Sequence, residues 1–167
     1  MSTRANIIIK DNEDQLFFYR HSDGYPEGTL PTLKKFMRWV KDKKIRNNVE
    51  QSAGWLILIG AQEYDSVYIG GGVDEPKTTL TEPYPKGSSG WQCGAYEPAT
   101  NLHGDIEYLY TLDLSKLTLT VQKVIDIEHE NFQTLEVIKD FPEFFLTPIP
   151  VDVVEQPSLN PDELEIM

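Results

Sequence analysis

The side chains best suited to chemistry lie in segments 21–23 and 103–105, in each of which a histidine stands two positions before an aspartate. On extended backbone, residues two apart share a face. If the two segments are neighbours in a sheet, His21, Asp23, His103 and Asp105 converge. They would then form either a His/carboxylate site for a divalent metal or a catalytic acid/base pair. A small hydrolase or nuclease, with a metal cofactor in the first case, would use such a site.

The same segments also have a structural interpretation. Each His can make a turn hydrogen bond, while Asp23-Gly24 and Gly104-Asp105 simply end strands. A two-residue spacing is a weak signal, so the pattern alone leaves both interpretations open. Under the structural interpretation the protein needs no cofactor.

The run from Tyr19 to Gly28 carries further polar side chains at a strand end and the turn after it. Arg20, Tyr25 and Glu27 are candidate binding residues there. Because Asp-Gly and Pro-Glu-Gly break regular structure, we expect this run at the exposed end of a hairpin.

Charge is unevenly distributed along this chain of net charge -12. Window 34–46 holds seven basic residues and one acid, whereas residues 126–167 hold eleven acids and one lysine. The basic window predicts a partner surface that includes Lys34, Lys35, Arg38 and Lys41, facing an acidic host protein, another macromolecule or the acidic tail. The acidity of the whole chain disfavours nucleic acid, although the basic window leaves that partner open locally.

The composition indicates one domain at 1–150 and an acidic, extended tail at 151–167. A single cysteine, Cys93, excludes an intramolecular disulfide and fits a reducing cytoplasm. We expect no membrane partner, since the longest apolar run, 55–59, is too short to span a bilayer. The sequence does not determine the oligomeric state.

The elements of the fold must position these side chains. The residue pattern predicts an α+β fold with a mainly antiparallel sheet, one or two covering helices and the tail. The expected elements are a hairpin at 6–10 and 16–21, a basic amphipathic helix at 29–46, a helix at 49–62, strands at 67–69, 91–96, 106–114 and 117–127, and a short helix at 132–141. For 49–62, a buried strand at 55–59 is the alternative.

Several segments resemble a group of small uncharacterised proteins from tailed bacteriophages, prophages and gut Bacteroidetes. They are the start Ser2-Thr-Arg-Ala-Asn-Ile7, the run Tyr19-Arg-His-Ser-Asp-Gly-Tyr-Pro26, and later Gly94-Ala-Tyr96 and Ile106-Glu-Tyr-Leu-Tyr110. The match is best over the first thirty or so residues, and its most specific element is His-x-Asp-Gly-Tyr. The resemblance implies a phage-related gene expressed in a bacterial cytoplasm and implies no reaction.

We therefore expect a phage-related accessory protein that binds a host macromolecule without catalysis. The first alternative is the hydrolase or nuclease built on the two His-x-Asp segments. The second alternative is a structural component of the virion.

Overall fold

Six strands form one sheet in the part of the chain that this computed structural model describes, residues 2–64 and 94–142. The elements are β1 (Ala5–Lys10), β2 (Gln15–Arg20), α1 (Pro26–Lys41), α2 (Val49–Tyr64), β3 (Glu97–Ala99), β4 (Tyr108–Asp113), β5 (Thr118–Asp126) and β6 (Asn131–Ile138). The strand order is β3-β2-β1-β4-β5-β6, and every neighbouring pair is antiparallel except the central β1–β4 pair. The predicted α+β fold class is confirmed.

Alternation along β1 separates the two faces of the sheet. Ala5, Ile7 and Ile9 are buried in one core cluster with residues of both helices, including Phe36 and Leu56. The intervening residues of β1 point to the opposite side, which we call the open face. The helices therefore cover one face only, and the open face is available to loops.

Helix α1 begins at Pro26, three residues before the predicted start, and ends at Lys41, five before the predicted end. Proline is favoured in the first turn because its missing N–H would have no partner inside the helix. The helix ends in a Schellman motif. The amide N–H of Lys44 donates to the carbonyl of Trp39 at 2.8 Å, and that of Lys43 donates to Val40 at 3.0 Å.

The second apolar segment is a helix, α2, as the periodicity favours. Val49, Ala53 and Leu56 are buried at helical spacing, while Trp55 and Leu58 are exposed on another side. The alternative of a strand at 55–59 is therefore wrong.

The predicted short helix at 132–141 is also wrong, because residues 131–138 form strand β6. Phe132, Leu135 and Ile138 recur every three residues, which imitates a helical face. In the strand, Val121 pairs with Glu136 and the next residue, Gln122, pairs with Thr134. Leu135 is thus an extra residue in a β-bulge, and it is 46% exposed, so the three apolar residues do not share a buried face.

The predicted strand at 91–96 is displaced along the chain. β3 occupies Glu97–Ala99, and the described residues before it, 94–96, lie outside any strand. Cys93, the predicted strand at 67–69 and the predicted acidic tail at 151–167 lie outside the described residues. None of the described helices combines the length and apolarity needed to cross a membrane.

Residues 100–107 carry the chain from β3 at the sheet edge to β4, passing over the open face. The backbone N–H of His103 donates to Oδ1 of Asn6 at 2.7 Å, and Nδ2 of Asn6 donates to the carbonyl of Phe18 at 2.7 Å. Asn6 is fully buried, so both ends of its amide have partners where water is absent. This side chain links the crossover to strands β1 and β2.

Candidate functional site

The crossover brings the two His-x-Asp segments to one end of the open face. The imidazole of His103 stacks on the ring of Tyr19, with centroids 3.9 Å apart. The hydroxyl of Tyr19 lies 3.2 Å from Nδ1 of His21. Tyr19 therefore stands between the two histidines, and we call Arg4, Tyr19, His21, His103 and Asp105 the histidine cluster.

Arg4 joins the two halves of the histidine cluster. Its Nε lies 3.4 Å from Nδ1 of His21 and 3.4 Å from Oδ2 of Asp105. An arginine nitrogen can only donate, so Nδ1 of His21 is the acceptor in this contact. Burial, then the charge of Asp105, raise the pKa of the Tyr19 hydroxyl, which keeps it a neutral hydrogen-bonding group.

Asp23 does not join the other three predicted residues in this cluster. Its backbone φ is 57°, and its carboxylate accepts from the hydroxyl of Tyr25 at 3.2 Å. The carbonyl of Asp23 accepts from Thr29 in α1 at 2.9 Å. Asp23 thus shapes the turn that leads into α1.

The predicted metal site requires its ligand atoms to lie close together, and the observed geometry does not meet this requirement. Within the described residues, the one group of three potential ligand atoms lying within 4.8 Å of one another is Asp126, Glu128 and His129. The set of His21, Asp23, His103 and Asp105 is not such a group. In the β5–β6 turn, Asp126 already accepts hydrogen bonds from the backbone of Glu128 and from Nδ1 of His129, so that group serves the turn.

Arg20, a predicted binding residue, is a structural residue in this fold. Its side chain is 3% exposed and makes two hydrogen bonds to the carboxylate of Glu63 in α2, at 3.1 and 2.5 Å. It also donates to the carbonyls of Ser22, Asp23 and Gly28. Burial disfavours its charge, but Tyr96 and Glu63 more than offset this and raise the pKa of Arg20. The guanidinium joins β2, the turn and α2.

Tyr25 and Glu27 lie at the surface, as predicted for the end of the hairpin. The negative charge of Asp23 raises the pKa of the Tyr25 hydroxyl. Glu27 lines a depression of about 370 Å³ on the first turns of α1, together with Pro26, Leu30, Pro31 and Lys34.

The predicted basic face of α1 is divided between internal and free cations. Burial lowers the pKa of Lys35, whose Nζ lies 4.8 Å from the ring centroid of Trp39. Arg38 donates to Asp42 at 2.8 Å and to the carbonyl of Phe141 at 2.9 Å. Arg38 therefore links α1 to the chain at Phe141, Lys35 packs on a ring of its own helix, and Lys41 is exposed at the end of the helix.

The free positive charge lies one turn further along the chain. Lys41, Lys43, Lys44 and Arg46 are all exposed, and we call these four residues the basic turn. None of them forms an ion pair with any residue in 2–64 or 94–142. Val40, Lys43, Lys44, Ile45, Arg46 and Asn47 line a depression of about 580 Å³ there.

Sequence reasoning missed Arg4, Tyr19 and the last three cations of the basic turn as site residues. The charge count of window 34–46 included those cations, but a helix drawn to residue 46 concealed the turn. For Arg4 there was no local signal, because its contact with Asp105 depends on the central β1–β4 pairing.

Comparison with protein-family models, with curated proteins and with solved structures gives no match for this chain.

Proposed function

We propose that this chain is a phage-related accessory protein that acts without catalysis, by binding an acidic segment of a host protein at the basic turn. The observation that carries the proposal is the group of four exposed cations without ion pairs to the described residues. Three of them, Lys43, Lys44 and Arg46, line a depression of about 580 Å³. Charges in such an arrangement attract an acidic partner and orient it before contact.

The backbone at Lys43 adds a second argument. Its φ is 65°, in the left-handed region that glycine normally occupies at the end of a helix. A side chain there costs roughly 1–2 kcal/mol. A lysine at this position lowers the stability of the fold but places a positive charge in the middle of the basic turn. Local strain of this kind is typical of a functional residue.

Charge distribution favours an acidic protein segment over nucleic acid. Exposed charges act over about 10 Å at 0.1 M salt, so a short acidic segment in the depression experiences mainly the basic turn. A long polyanion extends beyond that distance over a protein of net charge -12. The proposed partner is therefore compact and acidic.

Fluorescence anisotropy tests the proposal with a labelled peptide of alternating glutamate and alanine, and a labelled oligothymidylate of similar length as the competing ligand. Lys41, Lys43 and Lys44 are changed together to Glu, and the matched control changes the exposed Lys116, Lys123 and Lys139 to Glu. Both variants have the same net charge, so only the position of the charge differs.

We expect the basic-turn variant to bind the peptide at least tenfold more weakly, because each exposed pair contributes up to about 1 kcal/mol and tenfold corresponds to 1.4 kcal/mol. The control variant should bind nearly as the unchanged protein does. Equal loss in both variants would show that only total charge matters. Tighter binding of the oligothymidylate would replace the protein partner with nucleic acid.

The second candidate function is the hydrolase or nuclease, and convergence of the histidine cluster favours it. His21, His103 and Asp105 meet around Tyr19, and Arg4 places a positive charge beside them. An imidazole next to an arginine can transfer a proton while the cation stabilises developing negative charge on a phosphate. Of the two chemistries predicted for these residues, the contacts fit acid/base chemistry better than a metal site.

Hydrolysis of bis(p-nitrophenyl) phosphate and of labelled RNA, with and without Mn²⁺, tests this candidate. His21→Ala should abolish turnover, whereas His129→Ala, in the exposed β5–β6 turn, is the matched control and should retain it. Turnover that survives in His21→Ala, or no turnover by the unchanged protein, would eliminate the enzymatic candidate.

A further inference from the structure

The last described residues of the chain lie against helix α1, beside the basic turn. Phe141 is 1% exposed, and its carbonyl accepts a hydrogen bond from Nη1 of Arg38 at 2.9 Å. Arg38 lies one helical turn before Lys41 and Asp42. The point at which residues 143–167 leave the described structure is therefore fixed on the helix that carries the basic turn.

Residues 143–167 carry negative charge, opposite in sign to that of the basic turn. They contain Glu143, Asp152, Glu155, Asp162, Glu163 and Glu165, and neither lysine nor arginine. The basic turn offers four cations, since the intervening Asp42 is paired with Arg38. The two groups are complementary and belong to the same molecule.

Distance does not prevent contact between the two groups. Three residues of helix rise about 4.5 Å, which is the separation along the axis from Arg38 to Lys41, the first residue of the basic turn. A chain of 25 residues can reach up to about 80–90 Å when extended. Because the acidic segment belongs to the same chain, its effective concentration at the basic turn exceeds that of a free partner.

We propose that the acidic segment 143–167 binds the basic turn of its own chain and competes there with the acidic host partner. This inference rests on the proposed function, because it takes the same site and adds its regulation. The acidic segment is a weak internal ligand. It excludes weakly acidic proteins and gives way only to a partner whose charge and shape fit the turn better.

Carbodiimide cross-linking of the full chain tests the contact directly. The reagent joins a lysine to a carboxylate that touches it, and mass spectrometry then identifies the linked pair. We expect links from Lys43 and Lys44 to carboxylates after residue 142 in the monomer fraction. Lys116, exposed at the β4–β5 turn, is the internal control and should show none. Links confined to a dimer fraction would assign the contact to a second copy and overturn the proposal, as would equal linking of Lys116.

The second measurement uses a full-chain variant, called the neutralised variant, that lacks five of the six acidic side chains of segment 143–167 and keeps Glu143. The substitutions are Asp152→Asn, Glu155→Gln, Asp162→Asn, Glu163→Gln and Glu165→Gln. We expect this variant to bind the glutamate peptide about tenfold more tightly than the unchanged protein, since several exposed charge pairs no longer compete. The gain should shrink at high salt.

The two proposals fail in different ways. If the neutralised variant and the unchanged protein bind the peptide equally well, and no cross-links from Lys43 or Lys44 form, the internal ligand is refuted while the binding function stands. If the neutralised variant does not bind the peptide but the cross-links form, the binding function is refuted and the internal contact stands.

Discussion

Replacing Lys43 by glycine should stabilise the protein and weaken its binding at the same time. Lys43 has a φ of 65°. A residue with a side chain costs roughly 1–2 kcal/mol in this region, and glycine removes that cost. Glycine also makes the unfolded chain more flexible, which lowers the free energy of unfolding by about 0.4–1 kcal/mol. The net gain is about 0.5–1 kcal/mol, or roughly 2–4 °C in melting temperature for a domain of this size when the gain approaches 1 kcal/mol.

Lys43→Ala is the matched control for this substitution. Alanine removes the same charge but keeps a Cβ in the left-handed region, so the free energy of unfolding should change little. Urea denaturation measures stability, and anisotropy with the glutamate peptide measures binding. We expect both variants to lose binding equally and only the glycine variant to gain stability. A glycine variant no more stable than the alanine variant would refute the backbone argument, and unchanged binding in both would remove Lys43 from the site.

Three further predictions concern residues that support the sites. Glu63→Gln should lower the free energy of unfolding by about 3 kcal/mol in urea, because it leaves the buried charge of Arg20 without its anion; a loss below 1 kcal/mol would show that water or the turn carbonyls replace the pair. Asn6→Ala should cost roughly 1–3 kcal/mol and increase amide hydrogen exchange at His103, since the crossover loses its acceptor; unchanged exchange would mean that other contacts hold the crossover. Burial raises the pKa of Tyr96 to about 12, above its ordinary value of 10.0, so the folded state retains a proton that the unfolded state loses. The raised pKa of Tyr96 contributes about 3 kcal/mol to the free energy of unfolding below pH 10, and this contribution is lost as pH rises towards 12. Tyr96→Phe should therefore lose less stability than the unchanged protein between pH 10 and 12 in urea titrations, and equal losses would contradict this assignment.

Local patterns predict the elements that a single segment specifies. Two β-rich runs around a polar turn indicate the β1–β2 hairpin, and Leu33, Phe36, Met37 and Val40 recur on one side of α1. The sequence predicts a helix in place of β6 because Phe132, Leu135 and Ile138 recur every three residues, although Leu135 is 46% exposed in the strand. Pairing with β5 decides this element, and a single segment does not reveal its partner strand.

The candidate site was predictable only in part for a related reason. The expectation that His21 and His103 would meet if their segments were neighbours fits the observed geometry, because the crossover follows β3 over the open face. That Asp23 would turn away depends on its left-handed φ, and Arg4 enters only through a strand pair about 100 residues apart in sequence. Such long-range contacts leave no trace in residue spacing.

The parallel pairing of β1 with β4 at the centre of the sheet has a consequence for how the chain is made. Residues 5–10 leave the ribosome about 100 residues before residues 108–113, which complete their hydrogen bonds. Until then β1 is an edge strand with unpaired backbone groups, and Ile7 and Ile9 lack part of their final cover. We expect a fragment ending at residue 64 to self-associate in light scattering while the full chain does not, and a monomeric fragment would contradict this. Since this long-range pairing completes the sheet only after residue 113 is made, the edge of β1 stays open to other chains for most of synthesis.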